Sequence, residues 1–227
     1  LCDWSSDVCS SDLVGRAAAR RARARTVAAV MGVERLQQEY TDGTRRVIAG
    51  LMAKAGRIPL TGNQVTTLGF VVNVIAAVLV YREAFIAGGL VFLLGSILDI
   101  FDGAVARARG EAGPRGAMFD SVLDRVSEAV MFGAIALVFA RDDEKIALLA
   151  VIAALTGSLL TSYIRARAEA LGLDGTHGLM ARAERVVLIA ASLLFAPLGA
   201  LPWGIILLAV LSAITVVQRA RHVMRQL

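Results

Sequence analysis

Cysteine and histidine are nearly missing from this chain, with two of each in 227 residues. Both cysteines, Cys2 and Cys9, fall in the first ten residues, so there is no disulfide framework and no metal-ligand spacing. Without cysteine or a histidine near its acidic cluster, the chain has little to offer zinc. Internal repeats are also lacking, and low complexity is confined to an Ala-Arg arm. Long polar stretches are scarce: 57% of residues are hydrophobic, 19% are charged and the mean hydropathy is +0.66. That is too apolar for an ordinary soluble domain, and the length suits about six membrane spans with their connections. The net charge of +5 and pI near 9.9 do not imply nucleic acid as a partner. The cations sit in short segments between apolar runs, where they orient a membrane protein.

What is present is one acidic stretch, DIFDGAVARARGEAGPRGAMFDSVLD, from Asp99 to Asp124. One aspartate at mid-bilayer costs roughly 2.5 to 3.5 kcal/mol, so four unpaired ones would cost on the order of 10 kcal/mol. Asp99 and Asp102 are spaced i,i+3, and Asp120 and Asp124 i,i+4, so each pair projects from one helix face. Two such faces make a cage of hard oxygen ligands suited to Mg²⁺ or Mn²⁺. Two ions are expected, because one would leave excess negative charge and two can clamp a phosphoryl displacement. Gly103 and Gly116 remove a side chain beside each pair and let backbone or ligand approach. The competing reading is a seam of salt bridges, Asp to Arg107 or Arg125, joining two helices.

The fold expected is all-α and integral to the membrane, with six transmembrane helices preceded by an interfacial amphipathic helix. Residues 1–13 lack an initiator Met, resemble nothing that follows, and are set aside. Residues 14–25 hold five arginines and read as a basic arm at the headgroups, with Met31 an alternative start. Residues 1–42 are thus expected to be a disordered, partly non-native extension, and 43–227 one membrane domain. Residues 43–58 alternate cations with apolar residues at helical spacing and read as a helix in the interface. Spans are expected at about 65–80, 84–105, 116–140, 146–163 and 186–196, with a sixth ending near Val217. Asp99 then lies about 20 Å along the second span, in the third of the bilayer nearer the cytosol. Arginine and lysine crowd the amino terminus, the second and fourth connections and the carboxyl terminus. Both termini and the mouth of the aspartate site are therefore expected to be cytoplasmic, on the cell membrane.

The pattern D-x-x-D-G-x-x-A-R-x8-G-x-x-x-D-x-x-x-D is filled by Asp99, Asp102, Gly103, Ala106, Arg107, Gly116, Asp120 and Asp124. It resembles, position for position, the signature of the CDP-alcohol phosphotransferase family. The resemblance implies a CDP-linked lipid donor, release of CMP and an attacking alcohol. It implies metal ligation by Asp99, Asp102 and Asp120, with Asp124 as general base still within reach of a metal. It places Gly103, Ala106, Arg107 and Gly116, with Asp102, around the cytidine and its phosphates. Asn63 and Thr66 resemble the family's polar positions at the preceding turn, although Gly62 stands where the family usually has Pro. A simple helix cap is the other reading of Asn63. Homodimers among membrane lipids are what the family suggests.

The acceptor is read from Arg165, Arg167, Arg182 and Arg185, which share the inner side with the aspartates. If they converge they form a bidentate pocket for a phosphorylated polyol, with Glu169 or Glu184 orienting the fork. Otherwise they are positive-inside residues. SYIRARAEALGL and ARAERVV are similar to the branch that makes phosphatidylinositol phosphate or archaetidylinositol phosphate. The expected reaction is thus phosphatidyl transfer from a lipid such as CDP-diacylglycerol to inositol phosphate. Glycerol 3-phosphate as acceptor is the first alternative; a metal-ion transporter or structural membrane protein is the alternative of another class. His177 reads as a solvated loop residue.

Overall fold

A computed structural model of the chain describes residues 60–227. The expectations for 1–42, for Met31, for the two cysteines and for an interfacial helix at 43–58 lie outside the described residues. Six α-helices follow: α1 (Gly62–Tyr81), α2 (Phe85–Ala108), α3 (Pro114–Arg141), α4 (Lys145–Ala170), α5 (Arg182–Leu194) and α6 (Ala200–Met224). A 3₁₀ turn, Ala196–Leu198, joins the last two.

The helix ends follow local chemistry. Thr61 caps α1 in a reciprocal box: its Oγ1 accepts from the Gln64 N–H, and Gln64 Oε1 accepts from the Thr61 N–H. Pro114 starts α3 after an extended Gly113. α4 runs to Ala170, past the expected end of its span near 163. The Arg-Ala-Arg-Ala-Glu-Ala segment is made of strong helix formers and continues the helix beyond its apolar stretch. The same reason extends α6 to Met224 rather than Val217.

Burial is arranged as in a membrane protein. Leu68, Val71, Ile75 and Val78 form an exposed stripe on α1, and Ile86, Leu90, Leu94 and Ile97 form one on α2. Large apolar stripes at i,i+3/i+4 spacing facing outward suit lipid, not water. Inside, Phe92, Met131, Phe132, Ile135, Val151, Ile189, Leu193, Ile205 and Leu208 make a continuous core. α1 packs on α2 and α3, α2 on α5, α3 on α4, and α6 on α4 and α5.

The protein is thus an all-α integral membrane protein, and four helices, α1, α2, α4 and α6, are long and apolar enough to cross by themselves. The other two depart from the simple count of six. α3 has 28 residues, about 42 Å, but carries Asp120, Asp124, Arg125 and Glu128 along its middle. α5 has only 13 residues, about 20 Å, and is shorter than an untilted crossing requires. Both pack on apolar helices, and Asp120, Asp124, Arg125 and Glu128 of α3 and Arg185 of α5 are at least partly buried.

The connections sort to two ends. Arg141 ties the α1–α2 turn to the end of α3, with Nη1 3.1 Å from Glu83 Oε1 and Nη2 donating to the Tyr81 carbonyl. At the opposite end, Arg109 Nη1 donates to the Leu60 carbonyl at 3.1 Å and draws the α2–α3 loop over the start of α1. The aspartates lie toward this second end.

Candidate active site

Close helix contact builds the site. A Cβ on Gly62 would stand 2.8 Å from the Ala106 Cβ, and one on Gly69 would stand 2.5 Å from Asp99 Oδ1. α1 therefore approaches α2 at a distance that only glycine permits, and the faces holding Asp99 and Asp102 are pressed against it. Thr66, buried on α1, hydrogen-bonds Asp102 Oδ2 at 2.6 Å and fixes that carboxylate.

Asp99, Asp102, Asp120 and Asp124 come together between α1, α2, α3 and α5. Asp120 lies near enough to repel the charge on each of the other three. Arg182 of α5 enters between the pairs, its Nη2 2.6 Å from both Asp99 Oδ2 and Asp124 Oδ1. The ion pairs thus run to Arg182, not to Arg107 or Arg125 as a helix-joining seam would have them; Arg125 Nη1 donates to the Ser121 carbonyl. With that guanidinium between them, no three His, Cys, Asp or Glu side chains among the described residues stand close enough together to hold a metal ion. The donor set nevertheless fits one. A single arginine pairs with only two of the four carboxylates, Asp99 and Asp124, and Asp120 Oδ1 is buried with no hydrogen-bond partner. Asp99, Asp102, Asp120 and Asp124 are the residues that would hold divalent cations.

Two clefts flank this cluster. The larger, about 870 Å³, is lined by Asn63, Thr66, Asp102, Gly103, Ala106, Arg107, Gly116 and Asp120, among others. Every residue expected around the CDP group lines it. The cap of α1 is Thr61, so Asn63 is free of that duty; its Oδ1 lies 3.4 Å from where a Gly116 Cβ would be. The Arg107 guanidinium lies over Gly103, where a Cβ would be 3.2 Å from Nη1.

The second cleft, about 330 Å³, is lined by Asp124, Arg125, Glu128, Arg165, Glu169, Arg182, Arg185 and Arg219 with small residues between them. Three of the four expected acceptor arginines are here. Arg167 is not: two residues beyond Arg165 on α4, it projects to another side and is exposed. Arg165 Nε pairs with Glu169 at 2.8 Å, one of the two partners anticipated. Glu128 and Arg219 were missed. Arg219 reads as one of several arginines trailing from the last helix, yet it is 4% exposed and donates to the carbonyls of Thr161, His177 and Thr176. Glu128 could have been found: it continues the i,i+4 series of Asp120 and Asp124. In the loop above, exposed His177 stacks on His222, and Asp174 accepts two hydrogen bonds from Thr176, which hold its carboxyl below the usual range.

An all-helical membrane enzyme with clustered carboxylates between a large cleft and a small basic one is the class this arrangement defines. Residues 60–218 match the CDP-alcohol phosphatidyltransferase family, and the chain belongs to that family, which displaces the transporter and scaffold readings. It is 36% identical over 171 residues to the archaetidylinositol phosphate synthase of Pyrococcus horikoshii, covering 74% of this chain and 86% of that one. Among solved structures it resembles the phosphatidylinositol phosphate synthase of Mycobacterium tuberculosis with CDP-DAG bound: TM-score 0.71, 33% identity, 78% of this chain and 94% of that one. The same enzyme in complex with manganese and citrate matches with a TM-score of 0.69 and 34% identity, over 79% of this chain and 88% of that one.

Proposed function

We propose that the chain transfers a phosphatidyl group from a CDP-linked lipid such as CDP-diacylglycerol to a hydroxyl of inositol phosphate, releasing CMP. The observation that carries this is the placement of Asp120 and Asp124, one helical turn apart on α3, on two different clefts. The larger cleft takes the cytidine and its phosphates: Gly103, Ala106 and Gly116 leave room for the ring, while Asn63, Thr66 and Arg107 supply polar contacts. The smaller takes the acceptor, its phosphate among Arg165, Arg182 and Arg185. Asp124 accepts the proton from the attacking hydroxyl. That oxygen bonds to the lipid-proximal phosphorus, the bond from this phosphorus to the CMP oxygen breaks, and CMP leaves. Divalent cations, two Mg²⁺ or Mn²⁺ held by Asp99, Asp102, Asp120 and Asp124, supply charge neutralisation of the diphosphate when bound. The manganese and CDP-DAG of the Mycobacterium tuberculosis enzyme support metal and donor for this chain too.

The distribution of lysine and arginine supports six crossings, with α3 and α5 completed by their neighbours, and the site and the carboxyl terminus on the cytoplasmic side. A homodimer is the assembly this reading carries.

The test is CMP release from radiolabelled CDP-diacylglycerol with inositol phosphate, inositol and glycerol 3-phosphate offered in parallel, with and without Mg²⁺ or Mn²⁺. Metal-dependent release with inositol phosphate is expected. Turnover of glycerol 3-phosphate alone would reassign the acceptor, and equal use of free inositol would remove the phosphate pocket.

A further inference from the structure

α3 and α5 are joined by two rungs. Asp124 meets Arg182, and one turn further into the bundle Glu128 meets Arg185. The rungs differ in burial and in partners. Arg182 is 39% exposed and divided between two carboxylates. Arg185 is 4% exposed and gripped side-on by one: Nε donates to Glu128 Oε1 at 2.8 Å and Nη2 to Oε2 at 3.3 Å. Glu128 is itself held from the opposite helix, because Ser158 on α4, 1% exposed, donates to Oε2 at 2.6 Å. Three helices thus fix one guanidinium plane.

A guanidinium has five N–H donors in a rigid fork. Glu128 takes the Nε edge, and the fork that remains belongs to a residue lining the smaller cleft. That cleft holds five arginines against three carboxylates, Asp124, Glu128 and Glu169, an excess of two positive charges that matches a phosphate monoester dianion. Charge alone draws a phosphate in, whereas bidentate recognition needs the guanidinium plane fixed beforehand. An isolated buried arginine would turn toward any neighbouring oxygen.

We propose that Glu128 is a positioning residue for the acceptor: it sets the orientation of Arg185, with Ser158 as its brace, so that the cleft presents a preformed fork to the phosphate of a phosphorylated alcohol. This rests on the acceptor reading above and adds the group that makes the pocket selective for phosphate.

The test uses the full chain in detergent with CDP-diacylglycerol and Mn²⁺, measuring both Michaelis constants, kcat, and inhibition by inorganic phosphate. Glu128→Gln places an amide N–H₂ or a single oxygen against two donors. It is expected to raise acceptor KM and the phosphate inhibition constant on the order of tenfold, leaving donor KM and kcat within about twofold. Ser158→Ala is expected to move the same two constants less, and Glu128→Asp to recover part of the loss. If Glu128→Gln does not accumulate, Ser158→Ala and Glu128→Asp carry the measurement. Unchanged acceptor KM and phosphate inhibition across the variants would overturn the proposal, as would a fall confined to kcat. If the wild-type chain turns over no phosphorylated acceptor, the proposed reaction fails. Calorimetric titration of inorganic phosphate into wild type and Glu128→Gln then reads the positioning role separately: weaker binding by the variant upholds it, equal binding overturns it.

Discussion

Asp120 and Asp124 stand one turn apart on α3, yet they line different clefts. Asp120 lines the large cleft with Asn63, Gly103 and Gly116, and Asp124 lines the small one with Arg165 and Arg185. The i,i+4 spacing that sets them one above the other also makes α3 the wall between the two clefts. In the proposed reaction the proton taken at Asp124 and the phosphate held beside Asp120 would therefore be only one turn apart.

From this division, Asp124→Asn is expected to abolish turnover, by a factor of at least about 10³, while donor affinity changes little. The amide keeps the shape of the carboxylate and can no longer take a proton. Binding of CDP-diacylglycerol, followed by calorimetry beside single-turnover CMP release, separates the two effects. A loss of donor affinity as large as the loss of rate would contradict the role of base.

Arg182 and Arg167 should behave oppositely. Arg182 lines the smaller cleft, proposed to take the acceptor, and touches Asp124, so Arg182→Ala is expected to raise acceptor KM on the order of tenfold, through loss of a charge-assisted contact. Arg167→Ala should leave every kinetic constant within about twofold, because that side chain is exposed away from both clefts. Steady-state kinetics with inositol phosphate on the two variants checks both statements at once.

Which parts of this were legible beforehand depended on distance along the chain. The aspartate pairs are local patterns at helical spacing, and an antiparallel connection of known length brings them together. The residues around the large cleft come from the two helices of these pairs and the start of α1, and could be read with them. Arg182 is 83 residues from Asp99, and nothing in the intervening sequence says that it reaches between the aspartates. Arg219 was hidden by its neighbours, since a run of arginines at a helix end reads as an anchor until one of them is found buried under three carbonyls. Hydropathy alone accounts for four of the six expected spans for a related reason: α5 stops at Leu194 and α3 carries charge, so their stability depends on helices that hydropathy cannot see.

Gly62→Ala tests the close approach of α1 and α2. The added methyl would sit 2.8 Å from the Ala106 Cβ, and both atoms belong to short, inflexible side chains. The helices must part by several tenths of an ångström at the mouth of the large cleft, which costs about 1 to 3 kcal/mol. A lower thermal midpoint and weaker donor binding are expected together, with acceptor KM unchanged.

Thr66 connects this packing to the chemistry. Its hydroxyl lies 2.6 Å from Asp102 Oδ2 in a place with almost no solvent, and its other near acceptor, the Gly62 carbonyl, is farther at 3.1 Å. Thr66→Val keeps the shape and β-branching of the side chain, so α1 should stay in place. What is lost is a hydrogen bond to a charged group, about 1.5 to 3 kcal/mol. The carboxylate then has one fewer restraint on its orientation toward the other aspartates. Mn²⁺ binding, read by electron paramagnetic resonance without substrate, is expected to weaken roughly tenfold or more. Thr66→Ser retains the hydroxyl and should bind Mn²⁺ like the wild type. Equal Mn²⁺ affinity in the Val variant would mean that Asp102 is held by its helix alone, or is no part of the metal set.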